Sequence, residues 1–243
     1  MLEAKPQALI NIDADRKGRA FPQCAAAKPR MISSGIIGRA KQSSAHMAML
    51  NSDTHFDLYL VNDFFDAETC RELIAEMRSS SASPAVTYGQ VASGEVNERV
   101  RKVARATPSE KTVARVAQRL MDHRAEVAKH FGVNLSSCEE PQFLCYRQGD
   151  FFVAHQDGNT GLVSLESDKS RRVSVSIFLN GQSEAPEPGV YCGGSLVFSD
   201  WRLNRKFELA GKAGTLVAFG SETTHEVIPV TYGERYSIVS WYG

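Results

Sequence analysis

From residue 142 onward the chain consists of short apolar segments separated by turns, and this pattern constrains its fold more than any other feature. Apolar runs of about four to eight residues between turn residues predict β-strands. Several such strands in succession predict an antiparallel sandwich or jelly roll. The candidate strands lie at 142–147, 151–155, 172–179, 195–199, 206–209, 214–219 and 235–242.

Two helices are predicted ahead of this β-region, after a first strand over residues 56–61. Asp66 is a suitable N-cap for the first helix, because its carboxylate can accept the unpaired amide hydrogens of the first turn. The second helix is predicted to begin with a capping box at Thr107–Glu110, with Pro108 as its first helical residue, and to end at Gly132. The predicted fold class is therefore mainly β with flanking helices (α+β), with two or more N-terminal helices bracing one sheet of a jelly-roll core.

The segment Phe151–Asp157 carries two candidate metal ligands. In an extended strand alternate side chains point to the same side, so His155 and Asp157 share one face. His225 follows an apolar strand with glycine at both ends, Gly214–Gly220, and can supply a third ligand from a distant strand. A His-x-Asp sequence alone is more often an ordinary surface strand. Two histidines and one carboxylate on one face of a metal, however, form a donor set that suits non-haem Fe(II) oxygenases.

Arg235 lies ten positions after His225 and is the one charged residue of the last apolar strand. A guanidinium matches a carboxylate with two parallel hydrogen bonds. Arg235 therefore suits the far carboxylate of a 2-oxo acid that chelates iron through its other end, and Ser237, on the same strand face, can add a hydrogen bond. The alternative is a salt bridge at the rim, although an inward-facing Arg on so apolar a strand requires an anionic partner.

Five segments of the chain follow one family pattern in order. The pattern is Tyr-x-x-Gly, an aromatic residue, His-x-Asp, a strand ending in Leu-Asn, Gly-Gly-x-Leu, a distal His-x-Val and a basic residue on the last strand. The matching segments are Tyr146–Asp157, Arg172–Asn180, Gly193–Leu196, His225–Val227 and Arg235. In these segments the chain resembles the Fe(II)/2-oxoglutarate-dependent dioxygenases of the prolyl 4-hydroxylase type. Many collagen-type members have Lys at the last position, so Arg235 is closer to the oxygen-sensing and bacterial branches.

The resemblance covers about residues 58–243 and implies a double-stranded β-helix, with a catalytic core at about 142–243 and iron in its open mouth. It implies Fe(II), 2-oxoglutarate and O2, with ascorbate as a reductant that restores the iron. Tyr146 can reach the 2-oxoglutarate carboxylate with its hydroxyl, but it is equally well explained as a core aromatic residue. The implied reaction hydroxylates a C–H bond while 2-oxoglutarate is converted to succinate and CO2.

Several substrates are compatible with this reaction. The leading hypothesis is a prolyl or other residue in a protein or peptide, and a free amino acid or small metabolite is the alternative. Nucleic-acid demethylases of the superfamily carry a second Arg six residues after the one that corresponds to Arg235, and this chain has Trp241 there. A net charge of zero also disfavours a nucleic-acid substrate. A non-enzymatic hypothesis is that the chain is a degenerate metal-binding or interaction module. The intact triad and Arg235 disfavour it. No sequence signal points to a particular oligomeric state.

Composition indicates one sizeable domain, which we expect over residues 51–243 of the 243. No apolar run approaches the ~20 residues that span a membrane. The five cysteines include no Cys-x-x-Cys pair, so neither a zinc site nor a disulfide framework is expected, and free thiols favour the cytoplasm. Residues 1–50 contain eight Lys or Arg, three Asp or Glu and no regular period, so they are expected to form a flexible basic extension.

Overall fold

The fold is mainly β, as the sequence predicts, with two helices beside antiparallel sheets in the part of the chain that the computed structural model describes. That part comprises residues 55–87, 95–158 and 170–243. The basic extension expected over residues 1–50 lies outside it. Within these ranges, neither helix is long and apolar enough to cross a membrane.

The strands of these ranges are short and are numbered here along the chain. They are β1 (Leu58–Val61), β2 (Ser81–Pro84), β3 (Arg101–Lys102), β4 (Ala104–Thr107), β5 (Gln142–Tyr146), β6 (Phe151–His155), β7 (Val173–Phe178), β8 (Cys192–Gly193), β9 (Leu196–Asp200), β10 (Arg205–Leu209), β11 (Leu216–Gly220), β12 (His225–Val227), β13 (Val230–Tyr232) and β14 (Arg235–Tyr242).

These strands form a larger sheet, a smaller sheet and one two-stranded ribbon. The larger sheet has the order β1-β11-β7-β14-β5-β4-β2, the smaller has the order β10-β9-β12-β6-β3, and β13 pairs with β8. One buried apolar cluster contains Leu144 and Phe219 of the larger sheet together with Phe198 and Val227 of the smaller sheet. The two sheets therefore pack face to face, as in a jelly roll.

Helix α1 spans Ala67–Ser79 and helix α2 spans Glu110–Phe131. Asp66 caps α1 as predicted, because its side chain accepts a hydrogen bond from the Thr69 amide at 2.7 Å. Gly132 ends α2 as predicted, with a left-handed φ of 64°. Both helices pack against the larger sheet, in a shared core that includes Leu73, Met77, Leu120, Val127, Val175, Ile177 and Ile238.

The start of α2 differs from the prediction. Its N-cap is Ser109, whose side chain accepts from the Thr112 amide, so the predicted capping box beginning at Thr107 is wrong. Thr107 instead ends β4, where it pairs with Ser81 of β2. The Glu76 carboxylate on α1 accepts from both the amide and the hydroxyl of Ser109, at 2.8 and 2.7 Å, and these bonds favour a cap at Ser109.

Candidate metal centre and adjoining cavity

The neighbouring strands β6 and β12 bring the three predicted metal ligands together. His155 ends β6, His225 begins β12, and the two residues are paired directly across the strands. Asp157 follows β6 by two residues, and its amide donates to the carbonyl of Ser221 at 2.9 Å, just ahead of β12. The candidate ligand atoms of His155, Asp157 and His225 all lie within 4.8 Å of one another.

Hydrogen bonds orient both imidazole rings so that Nε2 faces Asp157. Nδ1 of His155 lies 2.8 Å from the Val153 carbonyl, and Nδ1 of His225 lies 2.9 Å from the Thr223 carbonyl. A carbonyl oxygen only accepts, so each Nδ1 carries a hydrogen, and the nitrogen whose lone pair is available to a metal is Nε2 in each ring. These Nε2 atoms lie 3.5 and 3.4 Å from carboxylate oxygens of Asp157. Lone pairs that face a carboxylate at this distance repel it unless a cation lies between them, so the donor set fits a metal ion.

The pKa shifts of this group favour the protonation states that bind a metal. Burial lowers the pKa of His225 to about 4, helped by the charge of His155 and opposed by that of Asp157. Burial alone would raise the pKa of Asp157, but the charge of His225 and the hydrogen bonds and charge of its other neighbours hold it below its ordinary value. Near neutral pH the group therefore contains a neutral His225 imidazole and an ionised carboxylate, the forms that coordinate metals.

A hydroxyl from the larger sheet supports the carboxylate of Asp157. Ser174 on β7 is buried and donates to Asp157 Oδ2 at 2.7 Å. The Ser221 hydroxyl lies 3.2 Å from Ser174 Oγ and can donate to it in turn. Partners of this kind orient a metal-ligating carboxylate. The spacing of residues in the sequence did not identify Ser174.

Arg235 begins β14 and is only 1 % exposed. Its Nη1 donates to Ser237 Oγ at 2.9 Å. Its guanidinium carbon lies 5.0 Å from the ring centroid of Tyr146 and 5.3 Å from that of Phe178. Among the described residues, no carboxylate forms an ion pair with Arg235, and its Nε has no hydrogen-bond partner. A buried guanidinium without a counter-charge is costly, so this position favours an anionic ligand.

One cavity of about 200 Å³ connects the triad with Arg235. Tyr146 also contributes to its wall, whereas Ser237 contacts Arg235 from outside the wall. The structure thus places all six predicted site residues in one region. His155 and His225 are on the smaller sheet, Asp157 lies just beyond β6, and Arg235, Ser237 and Tyr146 are on the larger sheet.

Arg171 and Trp241 form another part of the cavity wall. Arg171 donates from Nε and Nη2 to the Glu139 carboxylate at 2.5 and 2.7 Å, and from Nη1 to the Asp157 carbonyl at 3.2 Å. Its guanidinium carbon lies 3.9 Å from the ring centroid of Trp241. Trp241 thus packs against a cation at the position where the demethylases carry their second arginine. The sequence pattern did not identify Arg171 as a wall residue.

The Gly-Gly motif allows the chain to pack closely around Arg235. Gly193 and Gly194 have φ values of 65° and 64°, which favour glycine. A Cβ at Gly193 would overlap the carbonyl oxygen of Pro229, and one at Gly194 would lie 3.2 Å from both Arg235 Cδ and Tyr191 Cε2. Side chains at these two positions would therefore displace Arg235 or the chain beside it.

The region from β5 to Gly243, which contains the triad and Arg235, matches a known family. A family model described as the 2OG-Fe(II) oxygenase superfamily, where 2OG is 2-oxoglutarate, matches residues 141–243. The match covers 103 of the 243 residues and includes all six of the predicted site residues.

Curated relatives that match part of this chain are PKHD-type hydroxylases. One from Shewanella sp. (strain ANA-3) is 36% identical over 101 residues, which are 42% of this chain and 41% of that protein. Another, from Pseudomonas putida (strain W619), is 34% identical over 101 residues, which are 42% of each chain. The matched region thus spans about two-fifths of the length of these relatives.

Solved structures of prolyl hydroxylases share the fold of this chain. A Pseudomonas putida prolyl-4-hydroxylase has a TM-score of 0.57 at 24% identity, over 77% of this chain and 92% of that chain. A second structure is a prolyl hydroxylase from Trichoplax adhaerens in complex with a hypoxia inducible factor oxygen degradation domain peptide fragment. It has a TM-score of 0.57 at 20% identity, over 82% of this chain and 88% of that chain. The predicted jelly-roll core of the prolyl 4-hydroxylase type is confirmed.

Proposed function

We propose that this chain is an Fe(II)- and 2-oxoglutarate-dependent dioxygenase, with one catalytic domain over residues 51–243. The observation that carries the proposal is that one cavity joins the His155, Asp157 and His225 group to the buried Arg235. Bound iron, with 2-oxoglutarate and O2, would supply the oxidation that converts a substrate C–H to C–OH while 2-oxoglutarate becomes succinate and CO2.

Each site residue has a distinct task in this proposal. His155 and His225 would hold the metal through Nε2, and Asp157 through a carboxylate oxygen, leaving positions for the co-substrate. Arg235 would bind the far carboxylate of 2-oxoglutarate, since a guanidinium fork matches a carboxylate.

Two further residues of the larger sheet support the co-substrate in this proposal. Ser237 would orient the Arg235 guanidinium by accepting from Nη1. Burial raises the pKa of the Tyr146 hydroxyl, so this group stays protonated and can donate a hydrogen bond to the co-substrate. If Tyr146 is instead only a core aromatic residue, Tyr146→Phe should leave 2-oxoglutarate affinity unchanged.

For the substrate we propose a prolyl or other residue within a protein or peptide. What supports this choice is the fold shared with prolyl hydroxylases, one of which is solved in complex with a peptide fragment. The competing hypothesis is hydroxylation of a free amino acid or small metabolite, and mass spectrometry with ¹⁸O2 distinguishes the two. A requirement for ascorbate and a cytoplasmic location stay predictions from the sequence.

Anaerobic addition of Fe(II) and 2-oxoglutarate tests the metal centre. We expect a visible absorption band that requires both reagents and that is lost in His155→Ala and Asp157→Ala. His130→Ala is the matched control, because His130 lies on α2 and contacts Asp57 at 2.9 Å rather than the triad. A flat spectrum from folded wild-type protein would refute the centre.

Mass spectrometry with ¹⁸O2 tests the reaction and its substrate. Lysate proteins and metabolites are incubated with the protein, Fe(II) and 2-oxoglutarate, and labelled hydroxyl groups are sought together with succinate. Label on protein residues supports the proposed substrate class, whereas label only on small molecules supports the competing one. Absence of label and of succinate from metal-loaded protein contradicts the proposed activity.

A further inference from the structure

Tyr191 lies beside Arg235 and has a buried hydroxyl without a partner. The side chain of Tyr191 is 0 % exposed, yet its Oη has no hydrogen-bond partner among the described residues, and the same holds for Arg235 Nε. Leaving a buried polar atom unpaired is unfavourable. Two such atoms on neighbouring side chains are a donor and an acceptor that can pair with each other.

Several contacts place the Tyr191 phenol next to the guanidinium. A Cβ at Gly194 would lie 3.2 Å from both Tyr191 Cε2 and Arg235 Cδ. A Cβ at Gly211 would overlap Tyr191 Oη and lie 3.0 Å from the ring of Phe178, over which the Arg235 guanidinium lies. Burial raises the pKa of the Tyr191 hydroxyl, and the charge of Arg235 and the hydrogen-bonding approach of its guanidinium oppose that rise. The two groups therefore lie within reach of each other, although neither Tyr191 Oη nor Arg235 Nε has a partner in hydrogen-bond geometry.

The position of Tyr191 restricts the way in which it can act. Its backbone is held on both sides, because its amide donates to the Gly181 carbonyl at 3.2 Å and its carbonyl accepts from the Ser183 amide at 2.9 Å. Arg235 contributes to the cavity wall, whereas Tyr191 does not. Tyr191 can therefore influence a ligand in the cavity through Arg235 rather than by touching it.

We propose that Tyr191 is a positioning residue for Arg235, whose Nε donates to Tyr191 Oη once a carboxylate is bound. Ser237 already accepts from Nη1, so the two hydroxyls together would fix the plane of the guanidinium. The remaining N–H groups of Nη1 and Nη2 would then face the carboxylate side by side. The inference rests on the proposed function, because the carboxylate is that of 2-oxoglutarate.

Tyr191→Phe tests the inference, because it removes the hydroxyl and keeps the ring. The hydroxyl has no partner before ligand binds, so the Tm without ligand should equal or exceed that of the wild type. The rise in Tm caused by Mn(II) with 2-oxoglutarate should be smaller in the variant. KM for 2-oxoglutarate should increase about 3- to 10-fold with kcat unchanged, the loss expected for one intramolecular hydrogen bond of ordinary net strength.

Two variants serve as controls for this experiment. Tyr242→Phe removes another buried hydroxyl, which donates to the Leu120 carbonyl at 2.7 Å. It should lower the Tm without ligand and preserve the ligand-induced rise. In an Arg235→Lys background, Tyr191→Phe should have no further effect on 2-oxoglutarate binding, because Lys has no Nε–H to donate.

A 2-oxo acid without the far carboxylate, 2-oxobutyrate, separates positioning from a general structural role. Its binding should be equally weak in wild type and in Tyr191→Phe. A wild-type protein whose Tm does not respond to 2-oxoglutarate would contradict the proposed function itself. If the wild type responds and Tyr191→Phe shows the same rise in Tm and the same KM, Tyr191 has no positioning role. A lower Tm of Tyr191→Phe without ligand would also overturn this role.

Discussion

Arg235 is the residue at which co-substrate binding can be separated from metal binding. Losing one partner of a buried charge pair costs about 2 to 5 kcal/mol, so Arg235→Ala should weaken 2-oxoglutarate binding at least about 30-fold. Mn(II) affinity without 2-oxoglutarate should stay unchanged, since Arg235 is not a candidate ligand. Anaerobic titration of both ligands measures the two effects.

The exposed Arg78 provides the control for this substitution. It pairs with Glu234 at 3.4 Å with 59% of its side chain exposed, and exposed pairs contribute little. Arg78→Ala should therefore leave 2-oxoglutarate affinity almost unchanged. Equal affinities in Arg235→Ala and Arg78→Ala would remove Arg235 from the co-substrate site.

Ser174 offers a test of the support around the candidate metal ligands. Ser174→Ala removes the 2.7 Å hydrogen bond to Asp157 Oδ2, and loss of such a partner typically weakens metal binding about 10- to 100-fold. Mn(II) affinity, measured by electron paramagnetic resonance, should fall by that factor. Ser240→Ala is the matched control, since Ser240 is equally buried but donates to the Glu139 carbonyl at 2.7 Å. Equal affinity in both variants would rule out this role.

The sequence identified some of these residues and not others for a physical reason. His155 and Asp157 are two positions apart, so the alternation of an extended strand predicts that they share a face, although β6 itself ends at His155. Ser174 on β7 and Tyr191, just ahead of β8, approach their partners, Asp157 and Arg235, from other parts of the chain. Those contacts depend on how the strands are arranged in space, which spacing along the chain does not specify.

At the level of elements, Glu76 joins the two helices by capping α2 from α1. Its carboxylate accepts from Thr112 Oγ1 at 2.6 Å as well as from the amide and hydroxyl of Ser109. Glu76→Ala should therefore lower the free energy of unfolding by about 1 to 2 kcal/mol near neutral pH. Glu72→Ala, which breaks an exposed pair with Arg115, should cost no more than about 1 kcal/mol. Urea unfolding of both variants measures the difference.

The effect of Glu76 should also depend on pH. Hydrogen bonds from Thr112 and Ser109 lower its pKa from the ordinary 4.5. A carboxyl whose folded pKa is depressed stabilises the fold above its unfolded pKa, and this contribution is lost as pH falls through the folded value. Wild type and Glu76→Ala should therefore converge in stability at acidic pH. A constant difference across this range would contradict the capping role.

The success of strand prediction depends on strand length and apolar content. The predicted strands at 151–155 and 235–242 coincide with β6 and β14. The strands β2, β3 and β4 were not predicted, because they contain two to four residues and few large apolar side chains. β12 has three residues and is absent from the candidate strand ranges for the same reason, although His225 was expected on a strand. Such strands form because a neighbouring strand pairs with them.

At the level of the whole molecule, the candidate site divides between the two sheets. His155 and His225 belong to the smaller sheet, and Arg235 and Tyr146 belong to the larger. A co-substrate that reaches from the metal to Arg235 would therefore contact both sheets at once. Binding of the metal and binding of 2-oxoglutarate should consequently be coupled, and both should stabilise the packed arrangement of the sheets.

This coupling can be measured in both directions. If 2-oxoglutarate chelates the metal, Mn(II) should raise the affinity for 2-oxoglutarate, and 2-oxoglutarate should raise the affinity for Mn(II) by the same factor, because coupling free energies are reciprocal. Calorimetric titration of each ligand with and without the other gives the two factors. Asp157→Ala, which removes a candidate ligand, should reduce the factor towards one, whereas Ser240→Ala should leave it unchanged. Independent binding of Mn(II) and 2-oxoglutarate to wild-type protein would show that the triad and Arg235 do not serve one chelated co-substrate.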